Sequence, residues 1–351
     1  MSSIVLTGGG TAGHCIPHLA ILPYLKTHFD KIYYIGSKNG IEKEIIEKEK
    51  ITYFSVPCCK LKRKFDFSNL KIPFVLLSGI ISAGEILDKI KPDVIFSKGG
   101  YVSIPTVIAG KNRNIPIVAH ESDFTVGLAN KISQKFCNKI LTSFPETAKT
   151  IKNGEYVGPP IRSEIFNVNK TLAENTFSFK NKKPVLLVLG GSQGSKKINQ
   201  VVRECLPELL KKFNVLHVCG KGNLDNSIIE KNYLQIEYTH EIEKAYAVCS
   251  VCVSRAGSNV LFELLALKIP CVLIPLPKDQ SRGDQLVNAL YFQKLGLVSV
   301  LEQNAITPYS LYNYVTCAYE NRHNLEHLFA RFPVTDKSRQ ISRIIYEQAK
   351  K

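Results

Sequence analysis

The sequence predicts an α/β protein of two Rossmann-like domains facing a cleft, and three observations carry that prediction. Short apolar segments alternate with helix-patterned segments almost throughout, the signature of parallel strands joined by crossover helices. Both halves open alike, with a buried strand, a glycine turn and a helix start: "SSIVLTGGGTAGH" from Ser2 to His14 and "KPVLLVLGGSQGS" from Lys183 to Ser195. The chain's 351 residues are also too many for one ordinary core, which points to two domains.

In the first half, strands are expected at "SIVLT", "IYYIG", "TYFSV", "DVIFS", "IPIVA" and "KILTS", with helices starting near His14, Ile41, Asn69, Ile104 and Val126. "EYVGPPIR", Glu155 to Arg162, reads as a boundary, because Gly158-Pro159-Pro160 continues neither element. A polar stretch to Lys183 then leads into the strand "PVLLVLGG", followed by "NVLHV", "LQIEY", "SVCVS", "PCVLIP" and "LVSVL", each trailed by a helical segment. The expected division is 1–160 for an N-terminal Rossmann-like domain and 161–335 for a C-terminal one. A final helix over 336–351 is expected to pack back toward the N-terminal domain.

Hydrophobic residues make up 44% of the chain and charged residues 22%, a globular composition. The formal net charge of +16 asks for an anionic partner: nucleic acid, a phosphate-bearing substrate or an acidic membrane surface. Nucleic acid would need a longer basic stripe or a known module, and neither is present. The ten cysteines stand mostly in apolar runs such as "VCSVCVS", so buried reduced thiols are the plain reading and a cytoplasmic location the expectation. "HNLEH", with His323 and His327, lacks the Glu of the H-E-x-x-H zinc motif, and no metal site is expected. "MSSIVLT" reads as a strand rather than a signal peptide, and no apolar run reaches the ~20 residues of a membrane span.

Gly8, Gly10 and Gly13 match the G-x-G-x-x-G spacing of a dinucleotide turn, but that reading needs an acidic residue at the end of the second strand. Gly36, Ser37 and Lys38 stand there instead, so NAD is not expected. What remains is a glycine turn opening a helix, whose backbone N–H groups and dipole suit an anion. The second half repeats it at Gly190, Gly191 and Gly194. In "SRAGSNVLFELLALKIP", Gly257 and Ser258 open a helix that carries Glu263, where a carboxylate could accept from both ribose hydroxyls. "SRGDQLVNA" opens another helix with Asp284, Gln285 and Asn288, which could bond sugar hydroxyls, and Arg162 could reach a diphosphate.

Group transfer from a nucleotide diphosphate needs a base and a stabiliser for the departing phosphates. His14 follows Gly13 at a helix start, where the dipole disfavours the imidazolium and keeps the ring able to take a proton. "IVAHESDFTVGLANK" adds His120 and Glu121 after a strand, either of which could be a second base or an acceptor contact. "FSKGGYVSIP" supplies a third turn, Gly99-Gly100, with Lys98 placed to meet a second anion. Finally, "KLKRKFDFSNLKIPFVLLSGIIS" joins Lys60, Lys62, Arg63 and Lys64 to Phe65, Phe67 and an apolar run from Ile72 to Ile81. That pattern suits docking on an anionic bilayer, and equally a core-facing helix with a basic leader.

Taken together, "TGGGTAGH", "FSKGGYVS", "HESD…GLANK", "GGSQG", "SRAGS…E" and "SRGDQ..NA" resemble, in order and spacing over nearly the whole chain, the MurG family of bacterial N-acetylglucosaminyltransferases. The resemblance implies a glycosyltransferase B-type fold, with UDP-N-acetylglucosamine as donor and undecaprenyl-diphosphoryl-N-acetylmuramoyl-pentapeptide as acceptor. It implies a β-1,4-linked product with inversion, no cofactor, and a peripheral place on the cytoplasmic face of the cell membrane, with other cell-wall enzymes as candidate partners. By motif, Gly10, Thr11 and Ala12 would lie near the donor sugar and acceptor diphosphate. Arg162, Ser192 and the neighbouring Gln193 would contact the donor with Gly257 and Ser258; Glu263 would hold the ribose and Gln285 the N-acetylglucosamine. Gly9, Lys98, Gly99, Gly100 and His120 would serve the acceptor, with His14, or else Glu121, as base. Asp123 replaces the Asn of many relatives and Asp284 the Gln of some. A UDP-N-acetylglucosamine epimerase on the same fold is the alternative enzyme, and a basic nucleic-acid-binding protein the alternative outside catalysis.

Overall fold

The computed structural model describes residues 1–60, 71–179, 181–191, 193–239 and 241–351. It divides into two compact units: Met1–Arg162 with Asp336–Lys351, and Ser163–Thr335.

The first unit carries parallel strands β1 (Ser3–Thr7), β2 (Lys31–Gly36), β3 (Thr52–Ser55), β4 (Val94–Ser97), β5 (Ile117–Glu121), β6 (Lys139–Thr142) and β7 (Gly154–Tyr156), in the spatial order β3-β2-β1-β4-β5-β6-β7. Between them run α1 (Ala12–Leu25), α2 (Ile41–Lys48), α3 (Ile72–Ile90), α4 (Ile104–Lys111), α5 (Leu128–Ser133) and α6 (Pro145–Lys149). Successive strand residues face opposite sides of a sheet. Ile4 and Leu6 accordingly join Ile21, Leu25 and Phe96 in one core, while Val5 joins Leu87, Ile95 and Val107 in another. Both faces are covered, which is why the strands read as unbroken apolar runs rather than alternations. Ile4 pairs with both Ile32 and Val94, so the strand order reverses at β1 and β4. In open parallel sheets such a reversal is where ligands bind, beyond the carboxyl ends of the strands.

The second unit begins with α7 (Lys170–Phe177) and holds β8 (Val185–Leu189), β9 (Asn214–Val218), β10 (Tyr233–Ile236), β11 (Cys249–Ser254), β12 (Cys271–Leu273) and β13 (Ser299–Val300) in the order β10-β9-β8-β11-β12-β13. Its helices are α8 (Lys196–Lys212), α9 (Ile242–Val248), α10 (Ser258–Ala266), α11 (Asp284–Lys294), α12 (Pro308–Glu320) and α13 (Arg322–Arg331). Val188, Val253 and Val272 pack with Val202 and Leu206 of α8 and Leu311 and Val315 of α12. Here the order reverses at β8 and β11. The chain then returns to the first unit as α14 (Ser338–Ala349), whose Ile341 and Ile345 enter the core around Ile4 and Leu6. Asp336 anchors the return by accepting from the backbone N–H of Ile161 at 2.8 Å and of Ser338 at 2.9 Å.

Three elements depart from the sequence expectation, and the helical segment expected after β9 is absent, residues 219–232 running as turns and coil into β10. β7 overlaps the start of the stretch read as a boundary; it is a three-residue edge strand, "GEY", with no fully buried residue and hence no apolar signature. α6 is a single short helix begun by Pro145. α7 lies in the stretch read as merely polar, because it buries only Ala173 and Phe177; Asn169 caps it by accepting from Leu172 N–H at 3.1 Å. α1 and α5 also start two residues from where they were expected, at Ala12 and Leu128, and α3 begins at Ile72, the expected start at Asn69 lying outside the described residues.

Candidate active site

In the first unit the reversal of strand order brings two glycine turns side by side. β1 ends at Thr7, whose carbonyl accepts from Lys98 N–H at 2.9 Å, so the turn Gly8–Gly10 and the turn Gly99–Gly100 leave neighbouring strands together. Gly10 has φ +84°, and a side chain there would come within 2.5 Å of the Tyr101 ring, so only glycine fits. The Tyr34 hydroxyl donates to Gly8 O at 2.6 Å. Beyond the turn, Thr11 is extended and Ala12 starts α1, which places Thr11 Oγ1 3.0 Å from His14 Nδ1. A side chain at Gly100 would press on Gly9 O and on His14 Nδ1. Gly9, Gly10, Thr11, His14, Gly99 and Gly100 thus form one constellation.

Within it, three expectations change. The Gly10 N–H, expected to face a ligand, donates to the buried carboxylate of Glu42 at 3.2 Å, and Gly9 is buried against that same carboxylate. Lys98 and His120, expected to meet the acceptor, meet each other. The Lys98 ammonium is 2.6 Å from His120 Nδ1 and donates to Ser122 Oγ at 2.7 Å. His120 Nε2 lies 3.2 Å from Gly158 O; a carbonyl only accepts, so Nε2 carries the hydrogen and Nδ1 takes the one from Lys98. Burial pushes the lysine down to about 7, with the nearby Glu121 and Asp123 opposing that shift. Burial, and then Lys98, hold His120 well below the ordinary histidine range. Glu121, the expected second base, accepts from Asp123 N–H at 3.0 Å, Gly127 N–H at 2.9 Å and Asn130 Nδ2 at 2.9 Å. It clamps its own loop instead of facing a substrate proton, as a general base must.

In the second unit, β8 runs into Gly190-Gly191, with Gln193 exposed before Gly194; Ser192 lies outside the described residues. Ser195 caps α8, accepting from Ile198 N–H at 3.4 Å. Its hydroxyl also accepts at 2.7 Å from Arg255, the residue after β11. Arg255 donates besides to Ile274 O at 3.0 Å, Pro275 O at 3.3 Å and Gln303 Oε1 at 2.6 Å, and burial lowers it to about 10. The guanidinium therefore ties the β8 turn to the end of β12, a role sequence reasoning missed; a basic residue at the mouth of a buried strand was its one signal.

Gly257 and Ser258 open α10, directing its first N–H groups beyond β11. Glu263 is 5% exposed and its Oε2 accepts from the Tyr246 hydroxyl at 2.9 Å. Gln285 stands in the first turn of α11, where its Oε1 accepts from Leu276 N–H at 3.0 Å, leaving the amide nitrogen to donate. Arg162 is half-buried and falls in the first unit. His323 is an exposed neighbour of Glu326, all ten cysteines are unpaired thiols, and no group of three metal-binding side chains occurs among the described residues.

Known proteins share this architecture. Residues 4–142 match the glycosyltransferase family 28 N-terminal domain and residues 185–341 its C-terminal domain. A protein of Bacillus thuringiensis (strain Al Hakam), named UDP-N-acetylglucosamine--N-acetylmuramyl-(pentapeptide) pyrophosphoryl-undecaprenol N-acetylglucosamine transferase 3, is 50% identical over 330 residues, 93% of each chain. A Clostridium kluyveri protein named as the same transferase is 46% identical over 349 residues, 98% of this chain and 99% of its own. Among solved structures, Acinetobacter baumannii MurG superposes with a TM-score of 0.77 at 20% identity, covering 99% of this chain and 100% of that one. The glycosyltransferase of kitacinnamycin gives 0.73 at 13% identity, with 99% of both chains covered. At such identities the two structures speak for the fold.

Proposed function

The chain belongs to glycosyltransferase family 28, and from that premise we propose that it moves N-acetylglucosamine from UDP-N-acetylglucosamine to N-acetylmuramyl-(pentapeptide) pyrophosphoryl-undecaprenol, a step of peptidoglycan synthesis. The observation that carries the reading is half-identity to a transferase so named along 93% of both chains.

The proposed chemistry is an inverting displacement. The acceptor's 4-hydroxyl attacks the anomeric carbon, a new C–O bond forms as the bond to the diphosphate breaks, and UDP departs with the electron pair. His14 takes the hydroxyl proton on Nε2, in the tautomer whose Nδ1–H donates to Thr11 Oγ1 3.0 Å away. Thr11, Ala12 and the Gly99–Gly100 turn serve the acceptor diphosphate, with the start of α1 supplying positive potential. In the second unit, Glu263 holds the ribose, Gln285 donates to the N-acetylglucosamine, and Gly257, Ser258, Ser192 and Gln193 receive the phosphates, with Arg162 as a further contact. Charge developing on the leaving diphosphate is met by N–H groups fixed beforehand at the starts of α8 and α10.

The acceptor is lipid-linked, and a docking surface on an anionic membrane fits it. Phe74, Leu77 and Ile81 of α3 are 76%, 58% and 55% exposed and follow at helical spacing. They follow Lys60 and the run with Lys62, Arg63 and Lys64, the last three outside the described residues. No helix among the described residues is long and apolar enough to cross a membrane, so attachment at the cytoplasmic face is proposed as peripheral.

Transfer of labelled sugar from UDP-N-acetylglucosamine to the lipid-diphosphoryl acceptor, with a control lacking acceptor, tests the reading. Label in the lipid product is expected. UDP release without acceptor would favour the epimerase, and no turnover would overturn the enzyme. His14→Ala should lower kcat by about a hundredfold or more with little change in donor KM.

A further inference from the structure

We propose that Glu42 is a positioning residue for the transfer: its buried carboxylate occupies the anion seat of the first glycine turn and thereby sets the geometry of Thr11 and His14. The inference rests on the transfer reading above. Glu42 sits in the first turn of α2 and is 0% exposed. Its carboxylate accepts from Gly10 N–H at 3.2 Å, from Ser37 N–H at 3.1 Å and from the Ser37 hydroxyl. The backbone is built around it: a side chain at Gly9 would meet the carboxyl carbon at 2.5 Å, and one at Gly40 would strike Oε1.

Chemically, a glycine turn ahead of a helix offers N–H groups to whatever anion reaches it. Here the chain supplies that anion from 32 residues away, so the Gly10 amide is withheld from substrate phosphate. The turn is fastened on both flanks, by Tyr34 to Gly8 O at 2.6 Å and by Glu42 to Gly10 N–H. Thr11 is the next residue, and its hydroxyl is 3.0 Å from His14 Nδ1. Any shift of the Gly10 peptide therefore passes through one residue to the ring that takes the proton. Glu42 touches neither substrate; it acts through the turn.

The test is Glu42→Gln, which keeps the shape but sets an NH₂ against a backbone N–H. Wild-type and variant are compared in the transfer assay with melting temperature measured alongside. Expected are a kcat lowered about tenfold or more, a donor KM within about twofold of wild type, because Glu263 and Gln285, proposed to hold the ribose and the sugar, belong to the other unit, and a melting temperature within a few degrees. A merely structural residue would move the melting temperature without this split between kcat and KM. Should Glu42→Gln fail to fold, Gly9→Ala replaces it: the added methyl pushes the carboxylate off the turn, and the same split is expected, persisting when Glu42→Ala is added because that change makes room but removes the carboxylate itself. A kcat within twofold of wild type in a folded variant overturns the inference, as does loss of fold in both variants, which would make Glu42 a folding residue. Failure of the wild-type chain to transfer sugar would instead overturn the transferase reading.

Discussion

Glu263 was legible as a helical carboxylate just past a glycine turn, but its partner Tyr246, 17 residues earlier, was not. The hydroxyl holds Oε2 and so helps to orient a buried carboxylate, offsetting part of its desolvation. Glu263→Ala should raise the donor KM about tenfold to a hundredfold, since hydrogen bonds to a charged group contribute about 1.5–3 kcal/mol, with kcat much less affected. Steady-state kinetics in UDP-N-acetylglucosamine measure this; an unchanged KM would remove Glu263 from the donor site. The residues whose partners the sequence did not show share one cause. Lys98, His120 and Glu121 are chemistry-bearing side chains at strand ends, and nothing local to them states whether they point outward or bond one another across 22 residues, as Lys98 and His120 do. Glu42 and Arg255 went unnoticed for the same reason, since Arg255 finds Ser195 60 residues away.

At the scale of elements, strands were the most legible feature, because a strand buried on both faces is a plain apolar run bounded by turns. Helices that bury little, such as α7, leave no such trace. α3 is the opposite case, since it keeps apolar residues outside. Phe74→Ser with Leu77→Ser should leave transfer to a water-soluble acceptor near wild type while lowering binding to anionic vesicles about tenfold or more, because burying each large apolar side chain is worth about 1.5–3 kcal/mol. Co-sedimentation with such vesicles measures the effect. Equal binding by the double variant would turn the membrane role over to other surfaces.

For the whole molecule, charge and titration set the working range. A formal charge of +16 suits two diphosphate substrates and an anionic surface. Inside, burial pushes His18 and His217 down to about 3 and holds His120 well below the ordinary value. Each stays neutral when folded but takes a proton near pH 6.5 when unfolded, so the unfolded chain binds more protons between those values. The histidines' contribution to stability is therefore full above about pH 6.5 and lost as pH falls toward 3, by up to about 1.4 kcal/mol per pH unit for each. Melting at pH 5 should come below melting at pH 7.5. His217→Gln, which can still donate to Asn199 and accept from Tyr233, should make that slope shallower. A melting temperature independent of pH over this range would contradict the buried neutral rings.

By itself the sequence determined the fold class, every strand of both sheets except the edge strand β7, and the two glycine turns that open the halves, because hydrophobic periodicity and glycine spacing act over a few residues. Only the tertiary structure decided what fills each turn. It gave Gly10 to Glu42, paired Lys98 with His120, turned Glu121 onto its own loop and brought Arg255 beneath the β8 turn. Those pairings join residues distant along the chain, and a buried polar group takes whichever partner packing brings within reach; that choice is made by the whole core and leaves no local mark.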